Sequence, residues 1–386
     1  MKIGILTYHR SPNFGSLLQT ICMFRIVSAA FPDATVEVID LRATRREKFQ
    51  RKAYLRRVMR RPWHACSDFL PICRYMIGKS VPMSPRVDEL AEGDAARRIE
   101  QLGYDMIIVG SDTVWEINDR PEKLAAPNIF FLKDVRVPTK VAFSVSADQT
   151  QNTDLKSHPR RDAIRRAIED FDFISVRDRF TEHCLGELDV ETKQPIRMTA
   201  DPTLLTPWAT PEPAISHREN LLGHVIIHSG NRRSVIDLAR SLGLEHVNVY
   251  DQVQKSWRKS KSEAISKPSL LVQDFQRPAC FVVDRFHAAV FALLMGNGPV
   301  IFLERGDRYS NGISKGRDLF RNLGMEKWVI RDDSRGEMRT SIPALLSDWD
   351  PLERSKHLSG FIEASRSTAV NFLAEVADFH NAHYHH

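Results

Sequence analysis

The sequence lacks the features of several large protein classes. No stretch reaches the ~18 consecutive apolar residues of a membrane-spanning helix, and the apolar N-terminal stretch is too short for a signal peptide. The 386 residues include only 18 glycines and 20 prolines, which excludes collagen-like and low-complexity chains. The five cysteines show no CxxC spacing, so we expect neither a zinc site nor a disulfide framework. These absences favour a cytoplasmic protein with buried thiols.

What is present is an ordinary globular composition, with 42% hydrophobic, 27% charged and 9% aromatic residues. A length of 386 residues suggests two domains, each able to bury its own core. Prolines crowd residues 202–213, and we interpret this stretch as the linker between the domains. The expected division is an N-terminal domain over 1–206, a C-terminal domain over 214–350, and a C-terminal helix and tail over 351–386.

Short β-branched runs alternate with longer helical stretches, which is typical of an α/β protein with parallel sheets. The predicted strands cover residues 3–6, 36–39, 106–109, 140–144, 173–176, 224–228, 247–249, 280–283 and 299–302. The predicted helices cover residues 16–30, 88–102, 161–170, 234–241, 285–295 and 352–379. Both halves have the same rhythm, so we expect two Rossmann-like domains facing each other across a cleft, followed by a C-terminal helix.

The net charge of +6 is concentrated in one segment, residues 42–74, which carries eleven Lys and Arg against two acids. Apolar residues recur in it near helical spacing, which predicts a basic amphipathic helix. Two interpretations stay open: a solvated helix face, or attraction to an anionic membrane surface or a phosphorylated substrate. We expect no nucleic-acid partner, because the segment shows neither stacking aromatics nor a known docking motif.

Ligands of parallel α/β sheets bind at the carboxyl ends of strands, where loops and helix N-termini converge. After the first strand, Asn13, Gly15 and Ser16 stand where the next helix begins. A turn of this kind lets the backbone approach a ligand, and the helix N-terminus favours an anion. The alternative is that these residues only make the turn.

A second polar group follows the apolar strand over 106–109. Asp112 can act as a base or hold a hydroxyl-rich ligand, Ser111 adds a hydroxyl, and Trp115 offers a flat face to a sugar ring. In the alternative interpretation, Ser111 or Asp112 caps a helical turn and Trp115 belongs to the core.

Two further strands are followed by cations. Arg177 emerges after one strand, and its planar fork suits a carboxylate or a phosphate unless it pairs with a nearby acid. Arg285 and His287 open a helix after another strand, where Arg285 can bind an anion and His287 can transfer a proton. The alternative is that His287 is a core histidine with a hydrogen-bonded ring. We expect the segments 200–203 and 311–315 to add further lining to the predicted cleft.

These segments, in this order, resemble the polysaccharide pyruvyl transferase family over most of the chain. The matching set is Asn13-Phe14-Gly15-Ser16 with Gln19, Val109-Gly110-Ser111-Asp112 with Trp115, Ser175-Val176-Arg177-Asp178, Asp201-Pro202-Thr203-Leu204-Leu205, Arg285-Phe286-His287, and Ser314-Lys315 with Asp318-Leu319. The resemblance implies a fold like the GT-B glycosyltransferases. It also implies transfer of a pyruvyl group from phosphoenolpyruvate to two hydroxyls of a saccharide, which forms a cyclic ketal and releases phosphate.

The resemblance also implies roles for single residues. Arg177 and Arg285 would bind phosphoenolpyruvate, which needs at least two cations. His287 would protonate the methylene carbon of the enol or hold the departing phosphate. Asp112 is the first choice for the base and Asp201, otherwise a residue lining the cleft, is the second. Phosphoenolpyruvate would be a co-substrate, and neither a cofactor nor a metal is implied.

Phe286, Ser314 and Lys315 complete the expected donor site. Family members commonly carry Arg where this sequence has Lys315, a change that keeps the charge and loses the bidentate fork. Phe14 and Ser16 stand where Tyr and often Ala are expected.

The donor side is expected in the C-terminal domain and the acceptor side in the N-terminal domain. A lipid-linked acceptor could meet the basic segment 42–74 at the inner membrane face, in exopolysaccharide or cell-surface polysaccharide synthesis. Two alternatives remain: a glycosyltransferase that uses a nucleotide sugar, with Glu304 as its acidic ligand, and a non-catalytic scaffold of a polysaccharide assembly complex.

Overall fold

The chain forms two compact units. The computed structural model describes residues 1–10, 14–43, 77–89, 93–118, 124–148, 150, 154–206, 219–225, 229–253, 273–296, 298–304, 314–331 and 335–384. The first unit comprises Met1–Thr206 and Ser365–His386, and the second comprises Pro207–Ala364. The predicted linker begins too early, because Pro202–Leu205 form a short helix within the first unit.

The first unit is built around a parallel β-sheet. The described strands of this unit, in chain order, are β1 (Lys2–Leu6), β2 (Thr35–Val38), β3 (Leu41–Ala43), β4 (Val87–Glu89), β5 (Met106–Asp112), β6 (Thr139–Val145), β7 (Phe173–Val176) and β8 (Arg197–Met198). The sheet order is β2-β1-β5-β6-β7-β8, and β3 and β4 form a separate parallel pair. Strands β5 and β6 are buried on both faces, which explains the continuous apolar run over 106–109 in β5.

The helices of the first unit connect these strands. Those that fall within the described residues are α1 (Phe14–Ala30), α2 (Asp94–Glu100), α3 (Arg161–Glu169), α4 (Arg179–Glu187) and α5 (Pro202–Leu205). The prediction of one helix over 88–102 is wrong in its first part. There β4 pairs with β3, and α2 begins only after Gly93, whose φ of 85° departs from helical geometry.

The second unit contains another parallel sheet. Its strands are β9 (Glu219–Val225), β10 (Glu245–Asn248), β11 (Pro278–Val283), β12 (Val300–Glu304) and β13 (Val329–Arg331), in the order β10-β9-β11-β12-β13. In the part of this unit that the structure describes, the helices before the last one are α6 (Ser229–Ser241), α7 (Phe286–Met295), α8 (Lys315–Asn322) and α9 (Arg335–Ser347). Helix α7 is buried almost all round, as its uniformly apolar sequence requires.

The last helix, α10 (Pro351–Tyr384), belongs to both units, because residues from Ser365 onward group with the first. Its C-terminal half packs on the sheet of the first unit. The ring of Phe372 stacks on Phe143 with centroids 5.8 Å apart, and His380 hydrogen-bonds to Thr139 at 2.7 Å.

Both sheets have the same connectivity. In the first, the chain passes from β1 outward to β2, forms β3 and β4, and returns to the other side of β1 as β5. In the second, it passes from β9 to β10 and returns to the other side of β9 as β11. Such a reversal opens a crevice at the carboxyl ends of the central strands. Each unit therefore has one topologically favoured position for a ligand.

The cysteines of the described ranges are reduced. Cys22, Cys184 and Cys280 are buried, and burial is the main cause that raises the pKa of each thiol to about 12. This confirms the prediction of buried thiols for these three, whereas Cys66 and Cys73 lie outside the described residues.

The structure bears on two predictions about membranes, the absence of a spanning helix and the basic segment 42–74. Among the described helices, none combines the length and the apolar character needed to cross a membrane. The basic segment is described only at its start, where the Arg42 guanidinium lies 3.7 Å from the Asp88 carboxylate. From residue 44 to residue 74 it lies outside the described residues.

Candidate active site

The carboxyl edge of the first sheet carries acidic and hydroxyl side chains. Ser16, in the first turn of α1, donates a hydrogen bond of 2.9 Å to Oδ2 of Asp112 at the end of β5. This bond joins the two sides of the reversal between β1 and β5. The two predicted polar segments therefore meet, although Asn13 lies outside the described residues. We call this edge, with Ser16, Asp112, Arg177 and Asp201, the first edge.

Asp112 has an uncommon backbone conformation. Its φ of 82° lies in the left-handed region, which costs a non-glycine residue about 1–3 kcal/mol. The backbone N–H of Thr113 donates to its Oδ1 at 2.8 Å. Two residues earlier, a Cβ on Gly110 would lie 2.0 Å from the carbonyl oxygen of Phe143, so only glycine fits there. Strained residues concentrate at functional sites, which favours Asp112 as a reactive group.

Trp115 does not offer its ring to a sugar. The side chain is 1% exposed, and its Nε1 donates to the carbonyl oxygen of Phe130 at 3.1 Å. The ring stacks on Phe131 and meets the edge of Phe171, with centroids 5.7 Å and 5.3 Å away. The prediction of a sugar platform is therefore wrong, because the indole is part of the core.

Ser111 and Gly15 are also buried rather than open to a ligand. The Ser111 hydroxyl donates to the carbonyl oxygen of Ser144 on the neighbouring strand at 2.8 Å. Gly15 is buried in the first turn of α1. We predicted that these two residues line the ligand site. Because both are buried, that prediction is wrong, and they contribute to the packing at this edge.

Arg177 and Asp201 form a buried ion pair. The guanidinium Nη1 lies 2.5 Å from Oδ2 of Asp201, and the two side chains are 2% and 0% exposed. Gln19 of α1 donates to the same oxygen at 3.2 Å, while Oδ1 accepts from the backbone N–H and the hydroxyl of Thr203. Both oxygens of Asp201 are thus occupied, and the residue caps α5. This arrangement argues against Asp201 as the base.

The acids of the first edge also act on Arg177 electrostatically. Burial alone would lower the pKa of the guanidinium, yet the charges of Asp201, Asp112 and Asp178 raise it above its ordinary value. Attraction between charges is mutual, so Arg177 in turn favours the ionised form of Asp112.

A second polar cluster lies at the carboxyl ends of β1 and β2, and sequence reasoning assigned it no role. Arg10 donates to both oxygens of Asp40, at 2.8 Å and 3.0 Å, and His9 Nε2 lies 3.0 Å from Oδ1. Burial would raise the pKa of Asp40, but the hydrogen bonds from His9 and Arg10 hold it well below its usual range. The cluster ties the chain that leaves β1, at His9 and Arg10, to the end of β2.

The carboxyl edge of the second sheet is cationic. Arg285 is exposed at the N-cap of α7, and His287 is 8% exposed in the first turn. Between them, Phe286 meets the His287 ring edge-on at 5.4 Å, and Lys315 Nζ lies 5.7 Å from the centroid of Phe286. Two helix starts, those of α7 and α8, thus come together. We call this edge, with Arg285, His287 and Lys315, the second edge.

Ser314 holds α8 in place. Its hydroxyl accepts from the N–H of Arg317 at 3.0 Å, which caps the helix, and donates to Glu304. Glu304 is 1% exposed and accepts from the Arg317 guanidinium at 2.7 Å and 3.0 Å. A Cβ on Gly316 would lie 2.1 Å from the Phe302 ring, so this turn packs directly on β12. Ser314 is 2% exposed, which makes it a cap rather than the donor contact that we predicted.

Tyr250 is a residue that sequence reasoning missed on this side. Burial raises its pKa above the ordinary value, while Arg285 lowers it and Asp284 raises it. These electrostatic effects place it near the start of α7. Its position directly after the predicted strand over 247–249 was the available signal.

Across the ranges that the structure describes, no group of three or more His, Cys, Asp or Glu side chains could hold a metal ion.

Comparison with known protein families shows which family this chain belongs to. The family described as "Polysaccharide pyruvyl transferase" matches residues 13–305, which is more than half of the chain. The chain belongs to the polysaccharide pyruvyl transferase family. The resemblance predicted from the motifs is thereby confirmed. No curated protein matches the sequence significantly.

Solved structures support the fold of this pyruvyl transferase family member. The UDP-GlcNAc 2-epimerase from Neisseria meningitidis, bound to UDP-GlcNAc, is 11% identical with a TM-score of 0.50, covering 97% of this chain and 99% of that chain. Glycyrrhiza uralensis UGT73P12, complexed with glycyrrhetinic acid 3-O-monoglucuronide, is also 11% identical with a TM-score of 0.50, covering 99% and 96%. Likeness at this identity shows the fold alone, and it confirms the prediction of a GT-B-like α/β protein with Rossmann-like domains.

The family match includes Asp112, Arg177, Arg285 and His287, whereas Lys315 lies beyond its end at residue 305. The departure of Lys315 from the expected Arg therefore falls in a part of the chain that the match does not reach.

Proposed function

We propose that this family member transfers a pyruvyl group from phosphoenolpyruvate to two hydroxyls of a saccharide, forming a cyclic ketal in exopolysaccharide or cell-surface polysaccharide synthesis. One observation carries the proposal. Arg285, His287 and Lys315 converge at the second edge, where α7 and α8 begin. Two cations, an imidazole and helix N-termini are the groups that a phosphorylated carboxylate requires.

Donor binding follows from the charges at the second edge. Phosphoenolpyruvate carries a phosphate and a carboxylate, and each is stabilised by a cation or by backbone N–H donors. Arg285 is exposed and has a fork that fits either group. An arginine side chain carries no hydrogen-bond acceptor. Arg285 therefore does not cap the backbone N–H groups in the first turn of α7. Lys315 adds a second positive charge beside Phe286.

The chemistry needs one proton donor and one proton acceptor. In the proposed first step, His287 gives a proton to the methylene carbon, which becomes a methyl group, and positive charge develops on the adjacent carbon. A saccharide hydroxyl forms a C–O bond to that carbon and loses its proton to the base. A second hydroxyl then forms the other C–O bond as the bond to the phosphate oxygen breaks. Phosphate leaves with the electron pair and can take the second proton.

Asp112 is our proposal for the base. One of its oxygens accepts from Ser16 and the other from the Thr113 N–H, and the side chain is not fully buried. Asp201 is the weaker choice, because its side chain is fully buried and paired with Arg177, whereas Asp112 is partly exposed.

A direct assay tests the proposal. The protein is incubated with phosphoenolpyruvate and a pool of free and lipid-linked oligosaccharides, and phosphate release is compared with the mass gain of one pyruvyl ketal on the acceptor. We expect both, in equal amounts. At phosphoenolpyruvate concentrations below KM, His287→Ala should abolish both and Arg285→Ala should lower both about 100-fold while the protein stays folded, and Arg240→Ala on α6 is the matched control. Phosphate release without acceptor modification contradicts the proposal.

The rival function, transfer from a nucleotide sugar, loses its candidate ligand. Glu304 was the acidic residue suggested for it, but Ser314 and Arg317 already occupy this buried carboxylate. Thermal stability that rises with a nucleotide sugar and not with phosphoenolpyruvate would nevertheless favour this rival. If neither ligand stabilises the protein, the scaffold hypothesis gains.

We also propose a lipid-linked acceptor and a peripheral contact with the inner membrane face through residues 42–74. The support is the charge of this segment, eleven cations against two acids. Co-sedimentation with anionic vesicles should be lost at high salt and in a variant with Arg56, Arg57, Arg60 and Arg61 changed to Gln. Equal binding to neutral vesicles contradicts this contact.

A further inference from the structure

We propose that Glu304 is a positioning residue of the donor site, which holds the start of α8 so that Lys315 lies over Phe286 at the second edge. This inference rests on the proposed function, because it assumes that phosphoenolpyruvate binds at the second edge. It gives Glu304 a role different from that of a ligand for a nucleotide sugar.

The first step is the location of Glu304. It is the last residue of β12, which lies beside β11, the strand that leads into α7. The register of these parallel strands pairs Phe302 with Val283. Glu304 follows Phe302 by two residues, just as Arg285 follows Val283 by two. The carboxylate is therefore level with the second edge but only 1% exposed, so it acts through the residues that it contacts.

The second step is the set of donors to this carboxylate. Glu304 accepts from the Ser314 hydroxyl and, at 2.7 Å and 3.0 Å, from Nη2 and Nε of Arg317. Ser314 is the N-cap of α8, and its hydroxyl accepts from the backbone N–H of Arg317 at 3.0 Å. Arg331 adds a further cation, with Nε 3.9 Å from Oε2 of Glu304. One buried carboxylate thus contacts both the cap and the third residue of the helix.

The third step is the place of Lys315 between these contacts. Gly316 also packs on β12, because a Cβ there would lie 2.1 Å from the Phe302 ring. The residues on both sides of Lys315 are therefore tied to β12. The Lys315 Nζ lies 5.7 Å from the centroid of Phe286, within the range of a cation–π contact.

The need for such a device follows from the chemistry of lysine. An arginine brings a rigid planar fork, whereas a lysine carries a point charge on a flexible stem. Fixing that stem on binding costs free energy, and a backbone held in the right place beforehand lowers the cost. Because this chain has Lys315 where family members commonly carry Arg, the position of the charge depends on the anchoring of α8.

Steady-state constants test the inference. Glu304→Gln keeps the size of the side chain and removes its charge, so KM for phosphoenolpyruvate should rise about fivefold with kcat changed less than about twofold. The variant should fold, because Arg317 keeps a second carboxylate, that of Glu326, at 3.1 Å. Ser314→Ala removes the cap and should raise the same KM by a similar factor. An unchanged KM in both variants overturns the inference.

Glu326→Gln is the matched control. It removes the outer partner of Arg317 and Arg321 but leaves the contact between Glu304 and Ser314 intact. The donor KM should stay within about twofold of wild type. A rise as large as that of Glu304→Gln overturns the inference, because a general loosening of α8 would then explain both results.

A double-mutant cycle asks whether Glu304 acts through Lys315. In the Lys315→Met background the charge to be positioned is absent, so adding Glu304→Gln should not raise the donor KM further. If the two effects multiply, Glu304 acts on the donor by another route, and the inference fails.

A second measurement needs no activity. In protein labelled with ¹³C at the lysine Cε, the Lys315 signal is identified by its loss in Lys315→Arg. An aromatic ring displaces the signals of nuclei near its face, so Phe286→Leu marks the position of this signal without the ring. We expect Glu304→Gln to move the signal toward that position and Glu326→Gln to leave it unmoved.

A Lys315 signal that stays in place in Glu304→Gln overturns the inference. If the wild-type protein neither binds phosphoenolpyruvate nor transfers a pyruvyl group, the proposed function fails. The position of the signal still decides, in that case, whether Glu304 holds Lys315 over Phe286.

Discussion

The two sheet edges share a strand order and differ in how their charges are used. At the first edge, Arg177 and Asp201 are buried and paired, and Ser16 contacts Asp112. At the second edge, Arg285 is exposed at a helix N-terminus beside a second cation, Lys315. The same topological position can therefore serve two purposes. A paired, buried set of charges holds neighbouring elements together, whereas an exposed cation can receive an anion from solvent.

The largest effect is expected at Asp112. Asp112→Asn removes the proposed base while keeping the size of the side chain, so kcat should fall roughly 10³-fold. KM for phosphoenolpyruvate should change little, because the donor is proposed to bind at the second edge. Asp134→Asn, at an exposed position with φ of 61°, is the control. A large rise in donor KM with kcat intact would reverse the roles that we assign to the two edges.

The next effect is expected at Arg285. Arg285→Met removes a charge-assisted contact, so KM for phosphoenolpyruvate should rise about 100-fold, with a smaller change in kcat. Isothermal titration with phosphoenolpyruvate measures the same loss directly. Arg240→Met, whose side chain is 74% exposed, should bind as the wild type does. If Arg285→Met binds normally, the second edge is not the donor site.

A substitution of Trp115 tests whether its indole belongs to the core or is accessible to the saccharide. Trp115→Phe removes the hydrogen bond to Phe130 and leaves space in the core, so the free energy of unfolding should fall by about 2 kcal/mol. KM for the saccharide should not change, because the indole is 1% exposed. Urea denaturation and initial rates measure the two quantities. Unchanged stability with weaker saccharide binding would restore the sugar platform that we rejected.

The smallest effect is expected at Lys315. Lys315→Arg keeps the charge and restores the residue that family members commonly carry, so donor KM should stay within about threefold of wild type. Lys315→Met should raise this KM about tenfold, because it removes a cation from the second edge. Equal values for the two variants would show that the charge of Lys315 plays no part in donor binding.

Local patterns in the sequence were enough to predict most strands and the places where they end. The apolar run over 106–109 is buried on both faces, and such a run predicts a central parallel strand without knowledge of its neighbours. The positions of Asp112, Arg285 and His287 followed from the ends of these strands. The α/β class was predictable for the same reason, whereas the family was predicted from the resemblance of the ordered motifs.

Partners that lie far apart in the chain were not predictable. The ion pair of Arg177 is with Asp201, 24 residues later, and the core around Trp115 includes Phe171. Nothing local distinguishes a buried Trp from one that faces a sugar. The predicted helix over 88–102 had helical periodicity, but β4 pairs with β3, more than 40 residues earlier in the chain. Tertiary pairing overrode the local preference there.

The division of α10 between the units has a consequence for synthesis on the ribosome. Phe372 covers Phe143, Phe379 meets Phe173 with centroids 5.3 Å apart, and Arg366 donates to the carbonyl oxygen of Leu205. Until these residues emerge, the nascent N-terminal half exposes the aromatic surface that they bury, a kind of surface that attracts chaperones and promotes aggregation. The unit that is translated first is therefore the one completed last.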